Sequence, residues 1–221
     1  MTFFLTAVSL LVLSAIPGAL ARNGSPFWEN LARFLSITGC ALGFWATVLC
    51  LRSPQAAVFT ASWNLVPGAA LAFKIDALSA AFLFPAFLVT AAGSLYGIGY
   101  WPINEKPKSG SWLLFFYPIL AGAIMLLLCS NNAVLFLVNW EIMALAGYFL
   151  VITEREKDEA HKAGFVYLVA THTGTLALFG LFAFLLPLAP GVYLPPVASL
   201  TGADWQASTI FLLALFGFGF K

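Results

Sequence analysis

Long apolar runs separated by short polar breaks dominate the chain. A helix needs about 20 mostly apolar residues to cross a bilayer. Seven stretches qualify by pattern: roughly 2–21, 33–51, 77–100, 112–130, 132–153, 163–187 and 207–221. Each is expected to be a helix, because lipid offers the backbone no hydrogen-bond partner. Pro85 and Pro118 fall inside the third and fourth runs, where kinks are expected. The connection from Arg52 to Ile75 is long and mixed, and Val66-Pro67-Gly68 is a turn signal. It predicts a short external hairpin. The stretch 189–206 is rich in Pro and Gly, carries no basic residue, and is expected to be irregular and external. The seventh run holds only about 15 residues, roughly 22 Å of helix against a core of about 30 Å. The reading frame is therefore expected to continue past Lys221. The expected fold is all-α: one polytopic transmembrane helix bundle of about seven spans over residues 1–221.

Residues 2–20 also invite a signal-peptide reading, with Ala19-Leu20-Ala21 resembling a cleavage site. No Lys or Arg precedes Arg22, and the run outlasts an h-region of about 7–15 residues. It is read as an uncleaved first span.

Composition agrees. The chain is 62% hydrophobic and 9% charged, whereas soluble domains carry about 25% charged residues. A net charge of +1 gives no basic stripe for nucleic acid. Cys40, Cys50 and Cys129 lie in apolar runs without metal or redox spacing and are read as small buried hydrophobes. No haem, flavin or iron–sulfur motif is present, so no cofactor is expected. Basic residues divide unevenly between the two sides. Arg22, Arg33, Lys106, Lys108, Arg155, Lys157 and Lys162 fall on one, Arg52 and Lys74 on the other. The positive side is cytoplasmic, which puts the N-terminus outside and residues 152–162 inside.

The candidate chemistry lies in the few polar residues within the spans. Glu141 is the single ionised side chain of AVLFLVNWEIMALAGYFLVIT, residues 133–153. A charge at mid-membrane costs about 2.5–3.5 kcal/mol on insertion scales. One reading is a protonated glutamate that only packs. The other is an ion or proton site, where burial favours the acid and a nearby cation favours the carboxylate. Tyr148 lies two turns nearer the cytoplasm, as the end of a polar path or as an interfacial aromatic. The sixth run holds VATHTGT. Its His172 is again at mid-depth, a satisfied core residue or a proton relay, with Thr171 and Thr175 one turn apart beside it. Asp76 precedes the third run and is read as a helix cap. Lys221 ends the chain deep in the seventh run. Three ionisable groups on consecutive spans, Glu141, His172 and Lys221, therefore fall at similar depth.

The segments FKIDALSAAF, NWEIMALAGYFLV, FVYLVATHTGT and LFGFGFK resemble the proton-conducting, antiporter-like membrane subunits of complex I, of multi-subunit sodium/proton antiporters and of energy-converting hydrogenases. Their E-I-M-A-L and T-H-T-G-T runs are most similar to the hydrogenase-4 and formate hydrogenlyase branch. The resemblance covers about residues 65 to 221. It implies a fold of about fourteen helices with two inverted five-helix repeats, of which this chain would hold the first half. Residues 1–111 would then be peripheral spans and 112–221 the start of the first repeat. It implies that Glu141 pairs with Lys221 on a broken seventh helix, with His172 near them, in a relay that moves protons. It further implies partners, namely other membrane-arm subunits and a peripheral electron-transfer arm, and a bacterial or archaeal plasma membrane. Gly147 stands where relatives often have Ser, which removes a hydroxyl contact there. A stand-alone sodium/proton antiporter subunit and a structural membrane anchor are the alternative functions.

Overall fold

The computed structural model describes residues 1–53, 55–62, 70–101, 107–186 and 204–220. The hairpin turn at Val66-Pro67-Gly68, Lys106, most of the 189–206 segment and Lys221 lie outside the described residues. Residues 204–206 of that segment open a helix.

Eight α-helices and one short 3-10 turn account for most of the described chain. They are α1 (Thr2–Leu13), α2 (Ala15–Leu20), the 3-10 turn (Ala21–Asn23), α3 (Pro26–Arg52), α4 (Ala77–Tyr100), α5 (Pro107–Leu128), α6 (Ala133–Val151), α7 (Asp158–Leu185) and α8 (Asp204–Gly219). Six helical stretches are long and apolar enough to cross a membrane, the first being Thr2–Asn23 as a whole; Trp205–Gly219 is a shorter apolar helix. The six expected spans that precede the seventh run all find their helices.

The first stretch breaks at Ser14. Pro17 has no N–H to donate to the carbonyl four residues back, and its ring crowds that carbonyl. Ser14 takes up the slack, donating its hydroxyl to Leu11 O at 2.6 Å. Helix α3 starts seven residues earlier than the hydropathy pattern indicates. Pro26 opens it, and Glu29 and Arg33 pair one turn apart at 2.8 Å. Arg33 is thus a buried helical residue and not a loop residue. It also donates to Ser94 O and Gly97 O at the end of α4, at 3.2 and 3.3 Å. A cation suits that negative helix end. Helices α4 and α5 run on through Pro85 and Pro118.

The hairpin forms. Strand β1 (Ala57–Ser62) pairs antiparallel with β2 (Ala70–Ile75), from Ala57 opposite Ile75 to Ser62 opposite Ala70. The other edge of β2 bonds to the α5–α6 turn: Lys74 N–H donates to Cys129 O at 2.8 Å and Asn131 N–H to Ala72 O at 2.9 Å. That contact covers an edge that would otherwise be unpaired.

One apolar core gathers Phe4, Leu11, Leu83, Phe87 and Met125 from α1, α4 and α5, with α3 packed alongside. Gly43 of α3 leaves the room that the Phe87 ring fills, and a Cβ there would collide with it. A second core joins α6, α7 and α8 through Trp140, Leu178 and Phe182. Large apolar side chains such as Phe34, Trp45, Leu88, Phe165, Leu176 and Phe211 point outward. Water would make such a surface sticky; lipid matches it.

Candidate functional site

Helix α6 begins at a buried cap. Asn132 Oδ1 accepts from Val134 N–H at 2.8 Å and from Leu135 N–H at 3.3 Å. Glu141 is the ninth of the 19 residues that follow, about 12 Å along the axis at 1.5 Å per residue. His172 lies near the middle of the 28-residue α7. The two meet: His172 Nε2 is 3.4 Å from Glu141 Oε2. The carboxylate side chain is 27% exposed and the imidazole 45%. The pair therefore sits at the rim of the described helices. Glu141 Oε1, by contrast, is buried and has no hydrogen-bond partner among the described residues.

The other imidazole nitrogen sets the tautomer. His172 Nδ1 lies 3.0 Å from Leu168 O. A carbonyl can only accept, so Nδ1 carries a hydrogen. A neutral ring then turns a lone pair on Nε2 towards Glu141. Two lone pairs facing each other repel. The contact is favourable when Glu141 is the acid or when His172 is the imidazolium. Both states place one proton between the two groups.

The neighbouring hydroxyls bond locally. Thr171 Oγ1 donates to Tyr167 O or Leu168 O at 2.9 and 3.1 Å, and Thr175 Oγ1 donates to Thr171 O at 3.0 Å. Both threonines are buried, whereas His172, next to Thr171, turns outward. Their protons are engaged with their own helix, a common choice for Thr in an apolar helix; their lone pairs remain. Tyr148 is half-buried where α6 meets the start of α7, its ring close over Gly164. Asp76 is the cap of α4, accepting from Ser79 N–H at 2.8 Å. That N–H, helped by the Ser79 hydroxyl and by Lys74, holds the Asp76 carboxyl below the usual aspartate range. Cys40, Cys50 and Cys129 are all free thiols.

Tyr167 was not among the sequence candidates. A Cβ on Gly147 would collide with the Tyr167 hydroxyl. The tyrosine of α7 thus brings a hydroxyl to the place that a side chain at 147 would occupy. A glycine on one span and a tyrosine one turn before Thr171 on the next was the available signal. Lys221 lies outside the described residues. The end of α8 just before it packs close. Gly217 O would be 3.0 Å from a Cβ at Gly174, and the Phe218 ring stands edge-on to Trp140, the neighbour of Glu141, at 5.5 Å between centroids.

This portion of the chain matches a known family. Residues 130–221 match the domain described as NADH:quinone oxidoreductase/Mrp antiporter, transmembrane. The chain is 31% identical over 151 residues to hydrogenase-4 component B of Escherichia coli (strain K12), covering 68% of this chain and 22% of that protein. The Mrp complex from Dietzia sp. DQ12-45-1b has a chain of similar fold, with TM-score 0.71 and 19% identity over 98% of this chain and 23% of that one. Respiratory complex I from Thermus thermophilus with bound NADH has another, with TM-score 0.68 and 21% identity over 96% and 43%. The chain spans about a quarter of the length of the curated relatives it matches. Residues 130–221 therefore match the transmembrane domain described as NADH:quinone oxidoreductase/Mrp antiporter, in a multi-pass membrane protein that is similar to hydrogenase-4 component B and shares its fold with chains of the Mrp complex and of complex I.

Proposed function

We propose that this chain is a proton-translocating membrane subunit of a respiratory-type oxidoreductase of the hydrogenase, formate hydrogenlyase or complex I kind. The observation that carries the reading is the 3.4 Å contact of Glu141 with His172, midway along two apolar helices of the matched domain. Such a pair holds one proton and passes it between a carboxylate and an imidazole. Lys221 is the third member of the relay. Its ammonium beside Glu141 favours the carboxylate, and withdrawing it favours the acid, which loads a proton. The packing of Phe218 against Trp140 supports this pairing, since these residues precede Lys221 and Glu141 by three positions and by one. Tyr148, Thr171 and Thr175 border the path. Electron transfer in a peripheral arm of the complex drives the movement, and other membrane-arm subunits continue the conduit. Residues 1–111 form peripheral spans, and 112–221 open the first inverted repeat. The complex resides in a bacterial or archaeal plasma membrane with the N-terminus of this chain outside.

Glutamine keeps the volume and hydrogen-bonding capacity of Glu141 but does not titrate. Glu141→Gln in the intact complex should leave assembly unchanged on detergent gels and reduce proton uptake into vesicles by at least ten-fold, with Glu141→Asp partly active. Removing Lys221 should impair uptake as well. Uptake at the wild-type rate in assembled Glu141→Gln complex refutes the proposal. Uptake that is driven by a sodium gradient and proceeds without any electron donor assigns the chain to a sodium/proton antiporter instead.

A further inference from the structure

At the end of the bundle where α6 gives way to α7, a crevice of about 810 Å³ opens between the 3-10 turn, the start of α5 and the α6–α7 turn. Its walls carry four cations, Arg22, Lys108, Arg155 and Lys157, against two carboxylates, Glu154 and Glu156. Lys157 is occupied, since its ammonium pairs with Glu154 at 2.5 Å. Among the described residues, no carboxylate lies within 4.0 Å of Arg22, Lys108 or Arg155. Three cations are thus left facing one open space.

One of them is held against an aromatic face. The Arg155 guanidinium lies 3.6 Å above the centre of the Trp112 ring. Trp112 is itself fixed, donating its indole N–H to Phe149 O at 2.8 Å and packing on the Phe116 and Phe149 rings. A guanidinium stacked on an indole keeps its N–H edges directed sideways, the fork that fits two oxygens of a phosphate. Trp112 and Phe115 also line the crevice, so it has an apolar wall beside its charged one. It lies where the first apolar stretch ends, at Asn23, and where α5 begins, at Pro107. Those two boundaries mark the polar edge of a bilayer.

We propose that this crevice binds the phosphodiester of an anionic phospholipid headgroup, with Arg155, Arg22 and Lys108 around the phosphate and an acyl chain along Trp112 and Phe115. The excess of positive charge selects against a zwitterionic lipid, whose ammonium would add a further cation. An acidic loop of a partner protein would satisfy the cations but has no use for an apolar wall at the membrane edge.

The test uses the assembled complex in vesicles that contain a photoactivatable phosphatidylglycerol, with labelled peptides mapped by mass spectrometry. Label should appear in residues 107–116 or 150–157. Unlabelled phosphatidylglycerol should suppress it at least five-fold, and equal phosphatidylcholine less than two-fold. The combined variant Arg22→Gln, Lys108→Gln, Arg155→Gln should lose at least five-fold of the label. Arg22→Lys with Arg155→Lys, which keeps the charge, should retain more than half. Should the triple variant fail to assemble, the competition between the two lipids on the wild type decides alone. Equal competition by phosphatidylcholine overturns the proposal, as does label absent from both segments or cross-links there to a partner subunit. Suppression by 10 mM inorganic phosphate as strong as that by phosphatidylglycerol would make this a free-phosphate site and overturn the lipid assignment.

Discussion

Asn132→Ala should destabilise the protein by about 2 kcal/mol, and by more than Asp76→Ala. Loss of a helix cap costs about 0.5–2 kcal/mol. Two features move Asn132 to the upper end. The side chain is completely buried and its Oδ1 serves two backbone donors, Val134 N–H and Leu135 N–H. No water replaces the lost acceptor, and a buried donor left unpaired costs about 1–3 kcal/mol. One effect opposes these. Asn132 Nδ2 is buried without a partner among the described residues, so alanine also removes an unsatisfied donor. Asp76 is 45% exposed, and water takes over much of its role. Serine at 132 retains an acceptor and lacks the unpaired amide, so Asn132→Ser should recover more than half of the loss. Hydrogen exchange read by mass spectrometry on the detergent-solubilised complex is the direct assay. The peptide covering residues 133–136 should exchange about thirty-fold faster in Asn132→Ala, the equivalent of 2 kcal/mol. Unchanged exchange there, or a loss of thermal stability no larger than that of Asp76→Ala, refutes the reasoning.

Asp76 adds a pH dependence. Its carboxyl is held low by Ser79 N–H, with the Ser79 hydroxyl and Lys74 acting in the same direction. The resulting stability is fully present above the unfolded aspartate value of about 3.9 and is lost as pH falls through the lower folded value. The gap in thermal midpoint between wild type and Asp76→Asn should stay constant from pH 7 to 5 and close below about pH 4; a gap that widens on acidification contradicts this. At the α3–α4 contact, Gly43→Val should cost about 1–3 kcal/mol by displacing Phe87, and Phe87→Leu should relieve it in the double variant. Strictly additive losses in denaturant titrations would exclude that coupling. Finally, in a cysteine-free background, an impermeant thiol reagent on intact cells should label Thr60→Cys on β1 and not Glu156→Cys; the reverse pattern inverts the orientation.

The span order was legible because each apolar run between Met1 and Leu185 is long enough that only one assignment fits a bilayer. Boundaries were less so. Glu29 and Arg33 look like loop charges in a linear reading, because the α4 carbonyls that Arg33 reaches are distant in sequence and adjacent only in space. Pro17 was hidden inside a strong apolar run, and it breaks α1 from α2. The turn signal at residues 66–68 marked a hairpin, but nothing local to it indicates that β2 lies against the α5–α6 turn. Depth along the helices brought Glu141 and His172 to one level. Rotation about each helix, which hydropathy does not encode when every face is apolar, turned the imidazole outward and left Thr171 and Thr175 buried. The Tyr167 hydroxyl was missed for the same reason, since its place is defined by the absence of a side chain at Gly147.

The two backbone bonds from β2 to the α5–α6 turn make that end of α6 a fulcrum. The opposite end, at Ile152, leads into a turn whose backbone bonds are local ones, Ile152 to Tyr148, Thr153 to Leu150 and Lys157 to Glu154. A rigid 5° tilt of α6 about Asn132 carries Glu141 by about 1 Å and Val151 by about 2.5 Å, from their distances along a helix rising 1.5 Å per residue. The helix is then a lever with its load near the middle and its far arm at the α6–α7 turn, where the Trp112 bond to Phe149 O hands the motion to α5. A sub-ångström adjustment at the carboxylate corresponds to a displacement more than twice as large at the charged turn. A spectroscopic probe at residue 151 would report a change at Glu141 with more than two-fold amplification.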